Sequence, residues 1–130
     1  MTDIKAETER LARQTIKEAQ LLLRTTREPL GDYWADQYGI QGAADWLDLL
    51  EVMALEVYGT KEVGQYRDGI VSVTVITGTG GPHTEFTVRE NGQVTGLAVW
   101  GSDRHEDRDT LPGLFEALLP LVGDRTDEPC

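Results

Sequence analysis

Three runs rich in β-branched residues, set close together and separated by glycine-bearing turns, restrict the folds open to this chain more than any other feature. They are Ile70-Val71-Ser72-Val73-Thr74-Val75-Ile76-Thr77, Thr84 to Glu90, and Gln93 to Trp100. Such runs suit the pleated, half-buried surface of a sheet. Asn91-Gly92 joins the second run to the third, and a two-residue Asn-Gly connection predicts a type I′ hairpin. That hairpin sets Glu90 opposite Gln93, Val88 opposite Thr95, Phe86 opposite Leu97 and Thr84 opposite Val99. An antiparallel return through Gly78-Thr79-Gly80-Gly81-Pro82-His83 adds the first run. Val73, Val75, Phe86, Val88, Leu97 and Val99 then share a core face. The other face carries Thr74, Glu85, Thr87, Arg89, Gly96, Ala98 and Trp100, which is too polar for a second core.

Helical periodicity flanks this region. From Thr2 to about Arg27 the apolar residues Ile4, Leu11, Ala12, Ile16, Ala19, Leu22 and Leu23 recur at helical spacing, and Pro29 and Gly31 end the pattern. Asp32 to Gly39 reads as an aromatic loop or a short helical turn. A second helix is predicted from about Ala43 to Tyr58, ending at Gly59. At 100° per residue, Trp46, Leu47, Leu49, Leu50, Met53, Ala54 and Val57 form one apolar sector of it. Asp45, Asp48, Glu51 and Glu56 form the opposite face, with Val52 and Leu55 set among them. The segment 101–109 reads as a charged loop, after which Asp109 or Thr110 caps a last helix with Pro112 near its start. The expected architecture is α+β, in the order α-α-β-β-β-α, with helices packed on one face of a three-stranded antiparallel sheet. At 130 residues and 39% hydrophobic content, one domain over residues 1–123 accounts for the chain, with an acidic tail over 124–130.

Charge restricts the choice of partner. The net charge is −11, with 23 acidic and 12 basic residues. Nucleic acids and anionic membranes are bound through cationic side chains, so direct binding to either is disfavoured and a basic protein surface is favoured. The excess is also segregated. Residues 1–30 hold five acids against six bases, and residues 67–102 hold three against two. Residues 31–66 hold seven acids against one base, and residues 103–130 hold eight against three. No apolar stretch reaches the roughly 18 residues needed to span a bilayer, and the first residues are polar, so a cytosolic protein is expected.

The chemistry-bearing patterns are incomplete. The glycine-rich stretch 78–83 lacks the lysine of a phosphate loop and leads into a strand rather than a helix, so it is expected to be a structural turn. His83 and His105 both fall near one end of the predicted sheet, beside Asp103, Glu106 and Asp107. Two histidines with a carboxylate can hold zinc or iron, and a metal-dependent enzyme centred on them is one reading. Nothing fixes His105 in a loop, and solvated histidines are the other reading. Cys130, the one cysteine, ends the sequence, and no serine has a histidine and carboxylate placed by a recognisable turn. No catalytic residue, cofactor or metal is therefore assigned. Tyr33, Trp34 and Tyr38 form either a recognition cluster or a seal between helices.

Ser72 to Phe86, with its Thr-Gly-Gly-Pro turn, followed by the hairpin and Val99-Trp100-Gly101, resembles small proteins encoded by phages and other mobile elements. The resemblance covers about residues 70–101 and carries no site residue. Several proteins of that kind are counter-defence factors, including anti-CRISPR proteins, which occupy the nucleic-acid surface of a nuclease complex. What the resemblance and the charge imply together is an inhibitor that binds a basic, nucleic-acid-handling surface in the host cytosol. The candidate contact residues are Asp45, Asp48, Glu51, Val52, Leu55 and Glu56, then Trp100, Asp103, Glu106, Asp107 and Asp109. The competing expectation is a structural or housekeeping homodimer whose acidity confers only solubility.

Overall fold

The computed structural model describes residues 4–28, 32–37, 39, 46–63, 68–80 and 82–122. Its elements are α1 (Ile4–Thr25), α2 (Asp32–Gln37), α3 (Trp46–Met53), β1 (Glu56–Val63), β2 (Asp68–Gly78), β3 (His83–Arg89), β4 (Gln93–Trp100), β5 (Asp103–Thr110) and α4 (Leu114–Val122). The α+β class is as expected, but the sheet has five antiparallel strands rather than three, in the sequential order β1-β2-β3-β4-β5. Among the described residues no helix is long and apolar enough to cross a membrane.

β2 and β3 are antiparallel and share the core face expected of them: Val73 pairs with Val88 and Val75 with Phe86, and all four side chains are fully buried. β4 is displaced by one residue from the predicted register: Val88 faces Val94, Phe86 faces Gly96, and Thr84 faces Ala98. The turn explains the slip. Asn91 does not take the positive φ that a type I′ turn requires, whereas Gly92 does, at 92°. The Gly92 N–H donates to the Arg89 carbonyl at 2.9 Å, making a four-residue turn closed by a left-handed glycine, which is a three-residue hairpin loop. Because side chains alternate, one extra loop residue moves every β4 side chain to the other face. Val94, Gly96 and Ala98 line the core, with Trp100 on the same side, while Leu97 and Val99 lie on the open face and are only half-buried.

Gly96 then has a structural purpose. A Cβ there would stand 2.1 Å from Thr15 Oγ1 and 2.9 Å from the Ala12 carbonyl oxygen. α1 therefore rests directly on β4, and it lies mainly over β4 and β5. Its buried face is built of small residues, Thr8, Ala12, Thr15 and Ala19, with Ile16 and Leu22. The threonine hydroxyls donate back into the helix, Thr8 to the Ile4 carbonyl at 2.6 Å and Thr15 to the Ala12 carbonyl at 2.7 Å, so none is buried unsatisfied. α4 covers β1 and β2 on the same side of the sheet. There Gly59 admits it, because a Cβ would meet Val122 Cγ2 and the Ile70 side chain at 3.1 Å. Leu49, Leu50 and Met53 of α3 complete the core with Phe86, Leu114 and Leu118.

Two predicted boundaries give way to these added strands. The helix expected to run to Tyr58 stops at Met53, and the Leu55 N–H donates to the Ile76 carbonyl at 2.7 Å, handing the backbone to the sheet. Val57, Tyr58 and Thr60 are good strand residues, and Gly59 disfavours a helix. The segment read as a charged loop is β5. Gly101, at φ 63°, and Ser102 form a two-residue turn of type II′ character that pairs Trp100 with Asp103. Asp109 and Thr110 belong to this strand and do not cap α4, which begins only at Leu114. The expected tail, residues 124–130, lies outside the described residues.

Candidate partner-binding surface

α3 turns Leu49, Leu50 and Met53 inward, so its opposite face presents Leu47, Asp48, Glu51 and Val52 to solvent. The chain then leaves the helix through Ala54 and enters β1 at Glu56, which displays Leu55 and Glu56 at the same junction. Val52 is 51% exposed and Leu55 64% exposed, values at which apolar side chains gain little from folding. No described element covers them. Beside them lies an open hollow of about 800 Å³, walled by Leu47, Leu50, Ala54, Leu55, Val57 and Leu121, with Glu51 and Glu56 at its margin and Tyr58 and Pro120 completing the lining. Asp48, Glu51 and Val52 thus lie on α3 and Leu55 and Glu56 at its exit into β1, at a helix–strand junction rather than along one helical face as expected. Asp45 lies outside the described residues.

The second acidic segment is arranged differently from expectation. In β5 the side chains alternate, so Asp103, Asp107 and Asp109 are half-buried on the helix-bearing side, while Glu106 stands on the open face between Arg104 and Arg108. Arg104 Nη2 donates to Glu106 Oε1 at 2.7 Å, and Arg108 Nη2 lies 3.6 Å from Glu106 Oε2. The hydrogen bond from Arg104 chiefly, with both guanidinium charges, holds the Glu106 carboxyl below its usual range. Asp109 accepts from Gln20 Nε2 at 2.7 Å and from its neighbour's N–H at 2.7 Å, and these bonds, Gln20 first, lower its pKa as well. The open face of β5 therefore carries two cations against one anion. The four acids expected to act together are divided between two faces. Trp100, expected on the polar face, is half-buried on the helix-bearing side.

The histidines are separated in the same way. His83 pairs with Val99 on the open face, where its Nε2 lies 2.7 Å from Glu85 Oε1. His105 pairs with Ala98 on the helix-bearing face. The sheet stands between them, so they do not form a joint metal site. Among the described residues no group of three histidine, cysteine or carboxylate side chains is placed to hold a metal ion. Tyr33 is exposed, whereas the Trp34 side chain and Tyr38 lie outside the described residues.

Sequence reasoning missed Leu47 and Tyr58. Leu47 sits at the shoulder of the apolar sector, where a small rotation of the helix decides its exposure. Tyr58 was assigned to a helix end. It also missed a second hollow, of about 430 Å³, on the open face, with Arg89, Gln93, Thr95 and Arg108 in its lining. These side chains converge only because β3, β4 and β5 are neighbours. No protein-family model, curated protein or solved structure matches the chain.

Proposed function

We propose that this protein is a non-enzymatic inhibitor of the counter-defence kind, acting in a host cytosol by occupying a basic, nucleic-acid-handling surface of a protein complex such as a CRISPR effector. The observation that carries the reading is the α3–β1 junction, where Asp48, Glu51 and Val52 are exposed on α3 and Leu55 and Glu56 are exposed as the chain enters β1. A surface built to receive DNA, which presents a negative charge about every 1.7 Å of helix axis, also receives closely spaced carboxylates. Apolar side chains among the carboxylates add contact that a phosphate backbone does not offer. The resemblance of residues 70–101 to phage-encoded proteins supports the same class. β5 contributes less than its sequence implies, since Glu106 is already neutralised and Asp109 is already bonded.

The test is inhibition of purified CRISPR effector complexes, measured across ionic strength and after charge reversal of Glu51 and Glu56. Inhibition is expected to weaken steeply as salt rises and to be lost on reversal. A constant affinity from low to high salt removes the charge-driven mechanism. The exposed Leu47, Val52 and Leu55 equally suit a symmetric contact between two copies. Light scattering that reports a dimer, together with inhibition unaltered by charge reversal, favours the homodimer whose acidity confers only solubility.

A further inference from the structure

Taking the α3–β1 junction as the contact surface, as above, we infer that its occupant is an extended, alternately basic and apolar segment of a partner protein that adds to the outer edge of β1 as a sixth strand. Three features of the hollow point there. First, the same space is walled by the apolar ends of α3 and α4 and by Glu56, Val57 and Tyr58, the first three residues of a strand that stands at the end of the sheet. Such an edge presents unpaired N–H and C=O groups, the ordinary template for strand addition. Second, the side chains of β1 already alternate in the required manner. Val57 pairs with Val75 and lies on the helix-bearing side, whereas Glu56 and Tyr58 pair with Ile76 and Thr74 on the open side. A strand laid alongside sends every second side chain into the apolar hollow beside Leu55 and Leu121. It sends the alternate ones to Glu56 and the Tyr58 ring.

Third, the charged groups among the described lining residues are Glu51 and Glu56, so the outward side chains of the occupant are lysine or arginine. The chain's own continuation past α4 is a poor occupant. Gly123-Asp124-Arg125-Thr126-Asp127-Glu128 carries three acids against one base, and the two glutamates repel it. The opposite edge of the sheet is unsuited to the same use. β5 has no apolar residue and displays Arg104, Glu106 and Arg108 in a row, an arrangement that discourages pairing.

The test uses a synthetic nonapeptide of alternating lysine and valine, blocked at both ends, and a counterpart with glutamate in place of lysine. Binding is followed by fluorescence anisotropy, and amide exchange of the full-length protein by NMR. The lysine peptide is expected to bind and the glutamate peptide not to bind. The amides of Glu56 to Thr60 that point away from β2 are expected to exchange at least about tenfold more slowly in the complex. Leu55→Asp, and Glu51→Lys combined with Glu56→Lys, each weaken binding by about tenfold or more. All three positions are exposed, so unchanged circular dichroism confirms that the fold survives. Binding without slowed exchange in β1 overturns strand addition yet leaves an acidic contact surface standing. Failure of the lysine peptide to bind overturns both. A free protein that sediments as a dimer dissociated by Leu55→Asp, with these amides already protected, makes a second copy the occupant and overturns the inference.

Discussion

Glu18 offers a test of the packing of α1 that does not depend on any partner. The side chain is half-buried in the middle of the helix and has neither a hydrogen bond nor an ion pair to a described residue. Desolvation pushes its pKa from 4.5 to about 7. A carboxyl whose pKa rises on folding binds more protons in the native state than in the unfolded one between those two values. Its contribution to stability is therefore full below pH 4.5 and is lost as the pH climbs through 7. A shift of that size corresponds to at most about 3.4 kcal/mol, at 1.36 kcal/mol per unit. Water reaching the half-exposed carboxylate lowers the expected effect to about 1–3 kcal/mol. Glu18→Gln keeps the shape and removes the charge, so the substitution stabilises the protein by that amount at pH 8.5 and by much less at pH 5. Urea titrations at a series of pH values, with the slope m checked for constancy, measure this difference directly. A stability difference that is flat with pH, or that grows toward acid, refutes the burial of Glu18.

Gly96→Ala places a methyl group against the Ala12 carbonyl and Thr15 Oγ1, and α1 must lift to admit it. A loss of about 1–3 kcal/mol is expected in thermal or urea unfolding, partly restored by adding Thr15→Ala. Phe86→Ala removes the largest fully buried side chain and costs about 3–5 kcal/mol by the same measurement. Glu106→Lys should change inhibition of a basic target far less than Glu51→Lys does, because Arg104 and Arg108 already neutralise Glu106. Equal losses in an inhibition assay would show that β5 contributes its full charge.

The parts of the fold that were legible in the sequence are those whose local and tertiary signals agree. Val73, Val75, Phe86 and Val88 alternate in strands that also face one core, so both the strands and the face they share could be read. Asn91-Gly92 is ambiguous because the same dipeptide closes a two-residue and a three-residue loop, and the choice lies in the φ of Asn91, which sequence does not display. One residue of slip was enough to exchange Leu97 and Val99 for Gly96 and Ala98 in the core. β1 was hidden because Val57 falls in helical phase with Trp46, Leu50 and Met53, and only Gly59 objected. β5 was hidden for a stronger reason. It contains no apolar residue, so its strand form comes from pairing with β4 beneath α1 and not from its own composition. The Gly101-Ser102 pair was the one local signal that could have exposed it.

That strand also changes the meaning of the charge count. Its sequence holds four acids and two arginines in close order, yet alternation sorts them, with Asp103, Asp107 and Asp109 on one side and Arg104, Glu106 and Arg108 on the other. The acids of β5 therefore do not form one surface, and the exposed carboxylates that stand with exposed apolar side chains are those of the α3–β1 junction. A few exposed carboxylates contribute only about 0–1 kcal/mol each to a contact, and salt screens them. Burying a leucine or valine side chain contributes about 1.5–3 kcal/mol. In the proposed complex Asp48, Glu51 and Glu56 accordingly govern which surfaces are approached and how fast, while Val52 and Leu55 govern how long the contact lasts.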